Sequence, residues 1–207
     1  MKERIIKEAY NLFWRYGIKS VTMDDIAKEL GISKRTIYQH FPDKEAIVIL
    51  VMKQELESQK CQMDKMDEDK LTPIEQMIQA ADYMRTSLAP MNPSLFHDMK
   101  KYHPKAWDLF HQYKHEFIIK SIKSNLTEGI EVGFYRKNIN VDILSLLRIE
   151  QVEMALDPMI FPADRFSMMN VQMEFVHHFI RGILTAKGLE YYTKYTEESE
   201  TSITHEK

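Results

Sequence analysis

The stretch from Thr22 to Ile47, TMDDIAKELGISKRTIYQHFPDKEAI, decides how the whole chain is read. Thr22 is a good helix N-cap, and Asp25 three residues on is a capping-box partner. Val21 before the cap and Ile26 after it form a hydrophobic staple. This short helix ends at Leu30-Gly31, where glycine permits the backbone angle that turns one helix sharply onto the next. Ser33 caps a second short helix, Ile32 and Ile37 repeat the staple, and Pro42 disfavours helix at Phe41. Asp43 then caps a longer helix through Ala46, Ile47, Leu50 and Val51 towards Met66. Ahead of the stretch, Ile5, Ile6, Ala9, Leu12 and Phe13 recur at helical spacing from about Lys2 to Tyr16, with Gly17 as the stop. Ile26, Ala27, Leu30, Ile37, Tyr38 and Phe41 are placed to share a small core with Leu12 and Phe13.

What is left exposed on the second short helix is Ser33, Lys34, Arg35, Thr36, Gln39 and His40. These are hydrogen-bonding or cationic groups of the sizes that reach base edges and phosphates. A face of this kind, backed by a core stripe, is what a helix needs to enter the major groove of DNA. A helical hairpin with an ordinary solvated face has the same geometry, so spacing alone leaves that alternative open.

The order T-x-x-x-I-A-x-x-x-G-I-S-x-x-x-I-Y-x-H-F-x-x-K-E-x-I closes much of that gap. It is carried by Thr22, Ile26, Ala27, Gly31, Ile32, Ser33, Ile37, Tyr38, His40, Phe41, Lys44, Glu45 and Ile47. It resembles the DNA-binding signature of the TetR/AcrR family of bacterial repressors, whose first helix Ala9, Leu12, Phe13 and Gly17 also match. The resemblance implies an all-α fold with an N-terminal three-helix helix-turn-helix domain and a C-terminal helical bundle for ligand binding and dimerisation. It implies a phosphate contact from Thr22, a phosphate held by Lys44, and a division of Ser33, Lys34, Thr36, Tyr38 and His40 between phosphates and base edges. Arg35 and Gln39 lie where the family varies its readout; by side-chain geometry Arg35 suits guanine O6/N7 and Gln39 suits adenine. The partners implied are a palindromic double-stranded operator, a second copy of the chain, and an unidentified small-molecule effector that releases a repressor.

Composition is consistent with this. The chain has 207 residues, 44% hydrophobic and 29% charged, enough to bury a proper core. Nine Lys/Arg against seven Asp/Glu leave residues 1–45 at +2 and the remainder at −5, within a total of −3. A mildly basic N-terminal part on an acidic body is expected if only the first part meets phosphates. A single cysteine, Cys61, excludes an intrachain disulfide framework and reads as a plain helix-surface residue. The charged N-terminus lacks the apolar core of a signal peptide, and the longest apolar run, Ala46 to Met52, is too short to span a bilayer. A cytoplasmic protein with no membrane partner is expected.

The periodicity beyond Asp43 places further helices at about 43–66, 72–89, 92–102, 104–129, 140–157 and 167–187, about nine in all with the first three. Thr72-Pro73-x-Glu75 and Asn140 are start signals, Gly188 a stop, and 196–207 a polar tail expected to be disordered. The expected division is 1–47 for DNA binding and 48–195 for sensing and dimerisation. The middle helices are rich in aromatic, methionine and histidine residues, and the family resemblance puts a pocket there. The residues chosen are Tyr83, Met84, Phe96, His103, Trp107, Phe110, Tyr113 and Met154. The same resemblance puts a dimer interface on the last two expected helices, at Leu144, Leu147, Arg148, Gln151, Phe175, His178, Phe179, Gly182 and Ile183.

His111 and His115 share a helix face and are followed by Glu116, a pattern that invites a metal. With no third ligand at close spacing, an exposed polar face is the better reading, and no metal or other cofactor is expected. The chain has no phosphate-binding glycine loop, no HExxH and no G-x-S-x-G turn, so an enzyme is not expected. A helical metal-dependent enzyme and a helical protein-interaction module are the alternatives to a DNA-binding regulator.

Overall fold

Helix α1, Lys2–Tyr16, buries Ile5, Ile6, Ala9, Phe13 and Trp14 along one face, as its apolar spacing dictates. The computed structural model describes the backbone of residues 1–68, 71–88, 91–92, 94–155, 157, 159–162 and 164–204; the side chains of 64–68, 85, 88 and 198–204 lie outside the description. After α1 come α2, Met23–Glu29, α3, Lys34–Tyr38, and α4, Lys44–Glu68. The body follows with α5, Pro73–Leu88, α6, Ser94–Tyr102, and α7, Pro104–Tyr113. A π-helical turn, Lys114–Ile118, leads from α7 into α8, Ile119–Glu131; α9 is Val141–Ala155, α10 Met168–Ile183 and α11 Ala186–Thr204. The protein is all-α: among the described residues the only strand-like pairing is an isolated bridge between Tyr135 and Leu184. None of the described helices is long and apolar enough to cross a membrane.

Several helix starts follow the side-chain chemistry. The N–H of Ala46 donates to Asp43 Oδ1 at 2.8 Å, that of Ser94 to Asn92 Oδ1 at 2.9 Å, and that of Ile143 to Asn140 Oδ1 at 3.0 Å. At α5 the N–H of Thr72 donates to Glu75 Oε2 at 2.7 Å, and Tyr191 adds its hydroxyl to the same carboxylate. Each such cap is worth about 1 kcal/mol.

The C-terminal region departs from expectation. A single helix to Lys187 stopped by Gly188 is not what forms. α10 ends at Ile183, Leu184 takes an extended conformation, and Thr185 starts α11 by accepting the N–H of Gly188 at 3.1 Å. Gly188 is inside the helix, where a Cβ would lie 2.2 Å from the Phe134 carbonyl oxygen. It permits a close approach and does not end anything. The stretch expected to be disordered from Thr196 is helical as far as Thr204, and 205–207 lie outside the described residues. The expected helix at 104–129 forms, but with the π-helical turn in its middle.

Two hydrophobic cores result. One joins α1–α4 to Met91, Leu95, Met99, Ala106, Ile119, Ile149 and Val152 of the body. The other is built around Ile74, Ile78, Leu126, Tyr135, Val176, Ile180 and Tyr192. The first core thus runs without a break from the N-terminal unit into the body.

Candidate nucleic-acid interface and internal cavity

The geometry of α2 and α3 is set locally. The Thr22 side chain accepts the N–H of Asp25 at 3.2 Å, while Asp25 Oδ2 accepts the N–H and the hydroxyl of Thr22 at 2.8 and 2.7 Å. Those bonds hold the Asp25 carboxyl below its ordinary range. Gly31 makes the turn at φ +65°, a left-handed conformation that costs other residues energy. Ser33 caps α3 by accepting the N–H of Thr36 at 3.1 Å, and the two hydroxyls lie 2.8 Å apart. Ile26 and Ile37 are fully buried between the helices, each contributing about 1.5–3 kcal/mol by leaving water.

The outer face of α3 carries the expected groups. Thr22, Ser33, Lys34, Arg35, Tyr38 and Gln39 are exposed, and Thr36 and His40 are half-buried. Tyr38, expected both to share the core and to reach DNA, is 48% exposed. Lys34 pairs with Asp24 at 3.4 Å between two exposed side chains, a contact worth at most about 1 kcal/mol that a phosphate can displace. Lys44 also has a partner within the chain. Its ammonium donates to the Ile18 carbonyl at 2.5 Å and sits 5.9 Å from the Phe13 ring centre. Burial pulls it below its ordinary range, against the nearby charges of Asp98 and Asp25. As placed, it braces the corner between α1 and α2.

That corner is tied to the body. The N–H of Lys19 donates to Asp98 Oδ2 at 2.9 Å, and the N–H of Asn92 donates to the Trp14 carbonyl at 2.6 Å. His103, between α6 and α7, pairs through Nδ1 with Glu45 at the start of α4.

A cavity of about 190 Å³ lies where α1, α4, α5, α6, α7, α8 and α9 meet, many times the roughly 10–15 Å³ one water needs. Of the residues expected there, Tyr83, Met84, Phe96, Phe110 and Tyr113 line it. His103 does not, being held by Glu45, and neither does Trp107, which packs on Phe110 and His111. Met154 is also absent from the wall, because it points outward from α9 at 37% exposure. Part of the wall that the sequence did not reveal is on α4: Met52, Leu56, Gln59 and Met63, whose 4-3-4 spacing is a helix face, and further lining comes from α5, α8 and α9. Trp14 and Arg148 were missed as well. Arg148, from α9, is 5% exposed; burial pulls its guanidinium down to about 10, and its Nη1 has no hydrogen-bond partner. The buried Trp14 Nε1 likewise has none.

Comparison with known proteins agrees with this architecture. Residues 5–51 match the family described as bacterial regulatory proteins, tetR family. The uncharacterized HTH-type transcriptional regulator YvaF of Bacillus subtilis (strain 168) is 30% identical over 160 residues, covering 76% of this chain and 82% of that relative. The chain belongs to the TetR family. It is a helix-turn-helix transcriptional regulator, and α2 and α3 lie within the matched residues. Solved structures share the whole fold. A putative transcriptional regulator from Saccharomonospora viridis in complex with choline superposes with TM-score 0.73 at 18% identity, covering 89% of this chain and 97% of that one. FadR from Bacillus subtilis in complex with stearoyl-CoA gives TM-score 0.67 at 18% identity, covering 88% and 100%.

In this TetR-family chain the residues expected at a dimer interface separate into two groups. Leu147, His178 and Gly182 are exposed, and Leu144 and Phe175 are half-buried. Arg148, Gln151, Phe179 and Ile183 are buried within the chain itself, because α9 and α10 turn those positions inward. Sequence reasoning missed the neighbours that complete an outer apolar stripe on α9: Ile143, Leu146 and Met154 join Leu147 at i, i+3, i+4 and i+11. His111 and His115 stack with ring centres 5.9 Å apart, and among the described residues no three His, Cys, Asp or Glu side chains gather as a metal site. Cys61 is exposed and unpaired by any disulfide.

Proposed function

We propose that this TetR-family regulator is a cytoplasmic homodimeric repressor that holds a palindromic operator and lets go when a small molecule enters the cavity. The observation that carries the reading is the make-up of the cavity wall. Trp14 comes from α1 and Met52, Glu55, Leu56, Gln59 and Met63 come from α4, the two helices that support the DNA-binding motif. A ligand that wedges α4 outward therefore moves α3. Two α3 helices on one operator must sit roughly 34–36 Å apart, so a shift of a few ångströms costs affinity. That FadR of Bacillus subtilis is in complex with stearoyl-CoA and the Saccharomonospora viridis regulator with choline supports a ligand-sensing role for this fold.

In this reading Arg35 and Gln39 read base edges, Lys34, Thr36, Tyr38 and His40 divide between bases and phosphates, and Thr22 and Ser33 contact phosphate while keeping their capping bonds. An ammonium has three donors and Lys44 uses one on Ile18, so it reaches a phosphate with the others. The outer stripe of α9, with the exposed edge of α10 at His178 and Gly182, pairs with its symmetry mate. The test is selection of sheared genomic DNA on the full-length protein at fixed salt, followed by sequencing. A short shared palindrome, retained by the wild type and lost with Arg35→Ala plus Gln39→Ala, supports the proposal. Retention of fragments without any common sequence contradicts it.

A further inference from the structure

We infer that the effector is an amphipathic acid, with an apolar body inside the cavity and a carboxylate bound by Arg148 at its wall. This rests on the reading of the cavity as the effector site and names the chemistry that site accepts.

Among the described residues, the fully buried polar atoms of the wall that have no partner are donors. Arg148 is 5% exposed, and its Nη1 has no acceptor. Trp14 Nε1, on the same wall, also lacks one. Burying a donor without a partner is costly, and native proteins seldom leave one so unless something else completes it. Burial is what pulls the guanidinium below its ordinary range.

The acidic residues of the wall are, in contrast, already served. Lys114 Nζ donates to Glu153 at 2.6 Å, and Gln59 Nε2 donates to Glu55 at 2.8 Å. The side-chain N–H groups of Asn125 are spent on the carbonyl of Pro73 and on Gln76 Oε1. Two buried acceptors without donors, Gln151 Oε1 and Gln172 Oε1, belong to residues outside the wall. A cationic ligand would bring a second positive charge to Arg148. A carboxylate meets the planar fork of its guanidinium with two parallel bonds. Methionine, aromatic and aliphatic side chains supply most of the rest of the wall, an adaptable lining for a flexible hydrocarbon body.

The test is calorimetric titration of the full-length protein with three probes of equal chain length: octanoate, 1-octanol and octyltrimethylammonium. A parallel readout is the emission of Trp14 in a Trp107→Phe background. The expected result is at least tenfold tighter binding of octanoate than of either other probe. In Arg148→Met that advantage disappears while octanol binding is kept; the wild-type comparison stands even if this variant does not fold. If octanol or the ammonium binds as tightly as octanoate, the acid assignment is wrong while the cavity remains an effector site. An octanoate affinity unchanged in folded Arg148→Met also overturns the inference. Failure of all three to bind removes the inference together with this support for the cavity reading.

Discussion

The backbone N–H of Asn92, just ahead of α6, donates to the carbonyl of Trp14 in α1 at 2.6 Å. One residue of the DNA-binding unit is thus bonded to the body through its backbone and lines the cavity with its side chain. The body and α1 are thus joined here by a direct backbone bond.

The same seam contains Gly17, at φ +79°, where a Cβ would sit 2.5 Å from Ser94 Oγ. Gly17→Ala is expected to lower unfolding stability by about 1–3 kcal/mol, since both the conformation and the space are unfavourable. Urea denaturation followed by circular dichroism measures this; an unchanged midpoint would show that the seam yields freely.

Recognition should separate into two kinds of residue. Arg35→Ala and Gln39→Ala are each expected to weaken operator binding by about 1–3 kcal/mol and to relax preference at one base position. Lys34→Ala should weaken binding to all sequences alike and flatten the salt dependence by about one unit of slope. Fluorescence anisotropy across a salt series measures both. All three residues are exposed, so melting temperatures should stay within the wild-type range.

Leu147 and Ile143 stand 45% and 62% exposed on the outer stripe of α9. Leu147→Glu combined with Ile143→Glu should give a folded monomer in sedimentation velocity, where the wild type is expected to run as a dimer. A double variant that remains dimeric would place the interface elsewhere.

Acid should loosen the helix caps. Burial pushes the Glu75 carboxyl up, but the bonds from Thr72 and the Tyr191 hydroxyl outweigh it and leave the carboxyl below its ordinary range. Stability from a depressed carboxyl is complete above the unfolded value, near about 4, and is lost as pH falls through the folded value. The melting temperature of the wild type should therefore drop more steeply between pH 5 and pH 3, both on the order of the carboxyl range, than that of Glu75→Gln. Parallel curves would contradict the assignment.

The N-terminal fold was legible because its signals are local. Thr22 with Asp25, Ser33 with Thr36, and the left-handed Gly31 each act within a few residues, so their spacing in sequence is their geometry in space. The cavity was legible as a region but not residue by residue. Periodicity places Met154 and Arg148 on one helix without saying that the first faces out and the second in. The α10–α11 break was missed because Gly188 reads as a stop, when what it meets is the carbonyl of Phe134, more than fifty residues away. Lys44 was read from its place at a helix start, and its bond to Ile18 depends on a corner that no local pattern reveals.

The central claim is that filling the cavity lowers affinity for DNA. Its most direct measurement is anisotropy of a labelled duplex carrying the selected palindrome, at constant salt, during titration with whichever of the three probes fills the cavity. Occupancy is followed in parallel by Trp14 emission in the Trp107→Phe protein. Operator affinity is expected to fall at least tenfold, in step with occupancy. An affinity that stays constant with the cavity full would contradict it.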